Sequence, residues 1–169
     1  MTEKVIFDAS SLLYAWDTYP KDIDLFEPLW AWIESLIAAE LLVMSKVNFD
    51  EVTKSTEAYE YLKDLKLKII EPNMAILSIA DNIRLELGLT EVEINNPTRK
   101  GVDVGDLICV ATAKVDSLKL ITEESPQIQT NGHGSPKLQN HKIPRVCSLH
   151  SVAVKTCNFV EFLKQNYKP

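Results

Sequence analysis

Val5-Ile6-Phe7-Asp8-Ala9-Ser10-Ser11-Leu12-Leu13 joins a short apolar run to an amphipathic one, with an acid at the junction. The apolar run reads as a buried strand over 4–7. Leu12, Leu13 and Trp16 then return at helical spacing, facing inward, with Ser10 or Ser11 expected as the helix cap. Open α/β sheets carry their chemistry beyond the carboxyl ends of their strands, where Asp8 stands. Asp106 recurs at the opening of a later helix, and Thr122-Glu123-Glu124 follows another apolar run. Acids repeated at one kind of topological point suggest a carboxylate cluster, and such a cluster calls for a divalent cation.

On either side of these junctions short apolar runs alternate with amphipathic helices, the pattern of a parallel α/β sheet. Leu41–Met44, Leu67–Ile70 and Leu118–Thr122 read as strands two to four, and Val152–Val154 as the fifth. Asp24 and Glu27 have capping-box spacing, with Pro28 in the first turn of a helix striped by Leu29, Trp30, Ile33, Leu36 and Ile37. Trp32 lies beside that stripe, and so wide an apolar face suggests a surface for a second copy. A helix carrying Val47, Asp50, Glu51 and Val52 is expected next, then another over about 57–66. Asn73 caps a helix that Gly88 ends. Residues 89–102 read mostly as loop, and 125–142, rich in Gln, Asn, Gly, Ser and Pro, as a long flexible loop. Asn158 and Glu161 give the last helix a second capping-box spacing.

The 169 residues suit one domain, taken as 1–169, with a sizeable core. No apolar stretch approaches the ~20 residues that span a bilayer, so no membrane role is expected. The chain starts directly on a strand, which leaves no signal peptide to discount. Cys109, Cys147 and Cys157 lack metal-type spacing and read as reduced thiols of a cytoplasmic protein, Cys109 as core packing. A formal net charge of −6 argues against coating nucleic acid by bulk charge, though not against a nuclease. Arg99-Lys100, Lys137, Lys142 and Arg145 are the candidates for a local phosphate-binding patch. His133, His141 and His150 are read as non-catalytic.

Asp8-Ala9-Ser10-Ser11-Leu12, Asp50-Glu51-Val52, Asp106 with Ala111-Thr112-Ala113, and Thr122 with Glu124 together resemble the four motif regions of the PIN-domain family. The similarity runs over nearly the whole chain. Lys142-Ile143-Pro144, followed by Val146-Cys147 and a Phe-rich helix, is similar to an uncharacterised bacterial and archaeal branch of that family. With right-handed crossovers, this leads to an α/β fold: a three-layer α/β/α, PIN-like domain whose mainly parallel sheet runs 3-2-1-4-5. The resemblance implies a metal-dependent ribonuclease, often the toxin of a toxin–antitoxin pair. It further implies an RNA substrate, an antitoxin protein as partner, and a homodimer. It assigns Asp8, Glu51, Asp106 and Glu124 as catalytic, metal-holding acids, Glu124 standing where many members carry Asp. Ser10 and Thr122 are their supports, and Asp50 and Asp103 the substitutes if the register differs. Mg²⁺ or Mn²⁺ suits such a set, because hard ions prefer carboxylate and water oxygens.

Two other functions share these residues. One is a non-catalytic PIN-like RNA-binding module. The other is a phosphotransferase with an aspartyl-phosphate on Asp8. Against the latter, Ser10 stands where dehalogenase-like phosphatases usually carry a second Asp, and no conspicuous Lys follows strand three or four.

Overall fold

The computed structural model describes residues 3–53, 55–127 and 137–168. Five strands form one all-parallel sheet: β1 (Val5–Phe7), β2 (Leu42–Ser45), β3 (Lys68–Ile70), β4 (Lys119–Ile121) and β5 (Thr156–Cys157). Their spatial order is 3-2-1-4-5. Strand β1 is central, with Val5 opposite both Leu42 and Lys119.

Side chains alternate across a strand, so each strand feeds two cores. Val5 and Phe7 of β1, Leu42 and Met44 of β2 and Ile121 of β4 face one side. There they meet helices α1 (Ala9–Thr18), α2 (Glu27–Ala38), α3 (Lys46–Val52) and α4 (Thr56–Asp64) through Leu12, Trp30, Ile33, Phe49 and Leu62. Ile6, Val43 and Leu120 face the other side. They pack on α5 (Met74–Glu86), α7 (Val104–Val115) and α8 (Ile143–Cys147); the short α6 (Glu91–Ile94) adds Ile94. Helix α9 (Phe159–Asn166) returns to the first side, where Phe159 and Phe162 pack edge-on against Phe7 at 6.0 and 5.5 Å. The result is three layers, α/β/α. No helix among the described residues is long and apolar enough to cross a membrane.

Three helices turn into the left-handed region at their ends without a glycine. Glu40, Lys66 and Ser117 each adopt φ +54, the left-handed region that a helix C-terminus requires. The following leucine closes the turn in each case: Leu41, Leu67 and Leu118 N–H donate to Leu36, Leu62 and Ala113 carbonyls at 2.8, 3.3 and 2.8 Å. Each turn delivers the chain into the next strand, and the hydrogen bond it closes helps offset the left-handed strain of about 1–2 kcal/mol.

Several local expectations are corrected. The fifth strand is Thr156–Cys157, not Val152–Val154: Ala153 has φ +51, which no strand tolerates. Asp24 and Glu27 form no capping box. Asp24–Phe26 is a 3₁₀ turn, and Phe26 precedes α2 without a side-chain cap. Asp8, not Ser10 or Ser11, is the N-cap residue of α1. Residues 89–102 hold α6, capped reciprocally by Thr90 and Glu93. Trp32 is half-buried within its own chain, tilted against Phe162 at 5.5 Å and Tyr167 at 5.2 Å. Of the expected loop 125–142, residues 128–136, with His133, lie outside the described residues. Leu138–Asn140 is a 3₁₀ turn. Gln127 ties the two ends of the stretch together, its side chain donating to Asn140 O at 3.0 Å and accepting from Lys142 N–H at 2.7 Å.

Candidate active site

Asp8 extends the pairing of β1 with β4 by one bond, its N–H donating to Ile121 O at 2.9 Å. This holds its carboxylate at the carboxyl edge of the central strand. It is only 4% exposed. Three chain segments supply its donors. Asn48 Nδ2 donates to Oδ1 at 2.8 Å; Thr122 Oγ1 at 3.1 Å and Ser10 Oγ donate to Oδ2. Each hydroxyl is oriented by a backbone donor: Ser10 Oγ accepts from Glu123 N–H and Thr122 Oγ1 from Glu124 N–H, both at 3.2 Å. A hydroxyl has one proton, and both spend it on Asp8. Burial nonetheless pushes the Asp8 carboxyl above its ordinary range, and the hydroxyl bonds pull the other way.

Asn48 was missed by sequence reasoning. It is fully buried at the start of α3, with its N–H on Ser45 Oγ at 3.3 Å and its Oδ1 accepting from that hydroxyl. An Asn on an amphipathic helix reads as surface; the pattern that could have found it is Ser45 three residues earlier, an N-cap that turns Asn48 towards β1.

Helix α7 begins two residues before Asp106. Asp103 is its N-cap, and the two acids form a capping box: Asp106 N–H donates to Asp103 Oδ1 at 2.9 Å and Asp103 N–H to Asp106 Oδ2 at 2.8 Å. Burial, with the negative charges of Asp103, Glu124 and Asp8, raises the Asp106 carboxyl to about 8. Glu124 follows β4. Its Oε2 accepts from Ile143 N–H at 2.7 Å, while burial and the charge of Asp8 push it up and Lys142 draws it back.

Glu51 reaches the same edge from α3. A Cβ built on Gly105 would lie 3.2 Å from both Glu51 Oε1 and Asp103 Oδ1, so those oxygens are less than twice that distance apart. The same Cβ would stand 2.9 Å from Val47 Cγ1. Glycine at 105 is therefore what lets α3 close on the first turn of α7. Asp50 turns outward to an exposed ion pair with Lys46 and does not join the cluster. Arg99, a candidate for phosphate binding, is spent on backbone carbonyls of Lys100 at 2.8 Å, Gln139 and Val102. Cys109 is buried beneath the acids; burial, Asp8, Asp106 and Glu51 hold its thiol well above the ordinary value.

Among the described residues no group of three or more His, Cys, Asp or Glu side chains stands close enough to hold a metal ion as placed. The donor chemistry fits one all the same. The cluster is wholly carboxylate, Lys142 is the cation that offsets Glu124, and burial together with the neighbouring like charges raises the Asp106 carboxyl. A hard divalent cation supplies the missing positive charge.

The sequence has no match among curated proteins. A family model described as "Domain of unknown function (DUF4411)" matches residues 5–168. Among solved structures the chain is similar to VapBC2 from Rickettsia felis, solved bound to a DNA fragment from its promoter. That likeness has a TM-score of 0.51 and 16% identity, covering 92% of this chain and 98% of that one. PAE2754 from Pyrobaculum aerophilum is similar at a TM-score of 0.45 and 16% identity, over 86% of this chain and 88% of that one. The fold is the PIN-like one that the sequence motifs resemble.

Proposed function

This chain belongs to the DUF4411 family, and we propose that it is a divalent-metal-dependent endoribonuclease of the PIN-domain type, the toxin of a toxin–antitoxin pair. What carries the reading is that Asp106 and Glu124 both lie within the field of Asp8 at one edge of the sheet, a concentration of negative charge that folding alone disfavours. Asp8, Glu51, Asp106 and Glu124 would hold Mg²⁺ or Mn²⁺, which when bound lowers the pKa of a coordinated water and offsets charge on the attacked phosphate.

The chain's own residues do the rest. Asn48, Ser10 and Thr122 fix both oxygens of Asp8, so its carboxylate meets a ligand without reorganising. The Asp103–Asp106 box fixes the first turn of α7. Lys142, beside Glu124, supplies positive charge towards which a phosphate oxygen is drawn. The aspartyl-phosphate alternative has less support, since Ser10 stands where such phosphatases usually carry a second Asp and its hydroxyl is committed to Asp8. The reading implies an antitoxin protein as partner; a homodimer and a cytoplasmic location come with the family resemblance.

The test is cleavage of single-stranded RNA by the purified chain. Activity is expected with Mg²⁺ or Mn²⁺, is lost in EDTA, and is lost in Asp8→Asn with the fold kept. Expression is expected to be toxic, and the same substitution to relieve it. Metal binding without cleavage, and without toxicity in either form, would replace this reading with a non-catalytic RNA-binding module.

A further inference from the structure

Beside Glu124 a cavity of about 180 Å³ opens past the carboxyl ends of β4 and β5. Pro126 and Pro144 line it, together with Thr156, Asn158 and Glu161. Its wall is mixed: prolyl rings give flat apolar surface, and the other three side chains give polar atoms.

The chemistry of the wall selects among ligands. A helix start often binds phosphate, but the first turn of α9 is already committed. Phe159 N–H donates to Glu123 Oε1 at 2.7 Å and Glu161 N–H to Asn158 Oδ1 at 2.8 Å. Glu124 and Glu161 line the space, so an anion is repelled. A bare cation would leave the prolyl surface uncovered. A flat, neutral group that donates hydrogen bonds satisfies both parts of the wall. Single-stranded RNA offers such groups in its unstacked bases, which proteins read by edge hydrogen bonds and by contact with apolar side chains.

Among the RNA bases guanine carries two adjacent donors on its pairing edge, the imino N1–H and the 2-amino group. A carboxylate accepts two parallel donors. Glu161 has that capacity, because its backbone partner, Asn158 N–H, occupies one lone pair of Oε2 at 3.3 Å.

We infer that this cavity is a base-recognition subsite for an unpaired guanine, with Glu161 accepting from N1–H and the 2-amino group while Pro126 and Pro144 contact the ring. The inference rests on the ribonuclease reading above, because it places a base of the substrate beside the acid cluster. It names a preference that the acid cluster itself does not supply.

The test separates recognition from cleavage. The metal-free full chain is titrated with guanosine, inosine and uridine, which are uncharged and so are not repelled by the carboxylates, while backbone amide NMR signals are followed. Guanosine is expected to shift the amides of Thr156, Asn158 and Glu161. Inosine, which lacks the 2-amino group, binds about tenfold more weakly for one hydrogen bond to a charged acceptor, and uridine more weakly still. Glu161→Gln removes the guanosine preference; glutamine also serves at that capping position, so the spectrum elsewhere stays unchanged. Equal binding of the three nucleosides, or shifts confined to other segments, overturns the inference. Guanosine selectivity in a chain that cleaves no RNA keeps the subsite and removes the nuclease. Cleavage by a chain that binds the three nucleosides equally does the reverse.

Discussion

Replacing Asp106 by Asn tests whether the acid cluster stores unfavourable charge. The Asp106 carboxyl moves from 3.8 to about 8, first because it is buried and then because Asp103, Glu124 and Asp8 face it. A carboxyl whose pKa is higher folded than unfolded binds more protons in the folded state. Its contribution therefore favours folding below about pH 4 and is lost as pH rises towards about 8. Roughly four pKa units, at about 1.36 kcal/mol each, set a ceiling of about 5 kcal/mol. Asn removes this penalty and still accepts the hydrogen bond from Asp103 N–H. It forfeits the charge near the start of α7, worth about 0.3–1 kcal/mol, and the open cleft screens part of the rest. The expected gain for Asp106→Asn in EDTA is about 2–4 kcal/mol at pH 9, close to zero at pH 4.5. For a chain of this size that is about 5–15 °C in melting temperature. The assay is thermal unfolding followed by circular dichroism at both pH values. Millimolar Mn²⁺ should stabilise the parent chain and leave the variant far less affected, by linkage of metal to folding. A gap between parent and variant that is equal at pH 4.5 and pH 9, or reversed at pH 9, would refute the charge-cluster reasoning.

Two further substitutions probe the scaffold. Gly105→Ala places a Cβ 2.9 Å from Val47 and 3.2 Å from the Glu51 and Asp103 carboxylates; a loss of about 1–3 kcal/mol in denaturant unfolding is expected for this overpacking, with weaker Mn²⁺ binding by calorimetry. Unchanged stability and affinity would mean that α3 and α7 shift apart freely. Asn48→Ala leaves Asp8 Oδ1 without its buried donor, so stability should fall by about 1–3 kcal/mol. Its onset of Mn²⁺ binding should also move to higher pH, because the Asp8 carboxyl, already raised by burial, rises further; an onset at the parent's pH would show that Asn48 does not hold the carboxylate.

Short-range pattern made much of this fold legible. Strand-then-acid at Phe7-Asp8 placed Asp8 on the central strand's carboxyl edge, where it stands. Asn73 capping α5 and the Asn158–Glu161 box were readable because a cap and its partner lie three residues apart in the chain. Where two acids share that spacing the signal is ambiguous: Asp103 and Asp106 could each have opened α7, and Asp24 with Glu27 has the same form yet makes no box. The three helix ends at Glu40, Lys66 and Ser117 carry no glycine to announce them.

The sequence by itself determined the alternation of strands and helices, the parallel sheet and the acids that could gather at its edge, because apolar period and cap chemistry are local properties. Only the tertiary structure decided which acids face one another. Glu51 rather than Asp50 turns inward because Gly105 lets α3 approach α7, and Asp8 is held by Asn48 and Thr122, residues 40 and 114 positions away. It also placed β5 at Thr156–Cys157, since an edge strand exists where β4 finds hydrogen-bond partners rather than where valines cluster, and it packed Trp32 beside Phe162 and Tyr167. Contacts between segments far apart in the chain depend on how helices pack, and no local pattern encodes that distance.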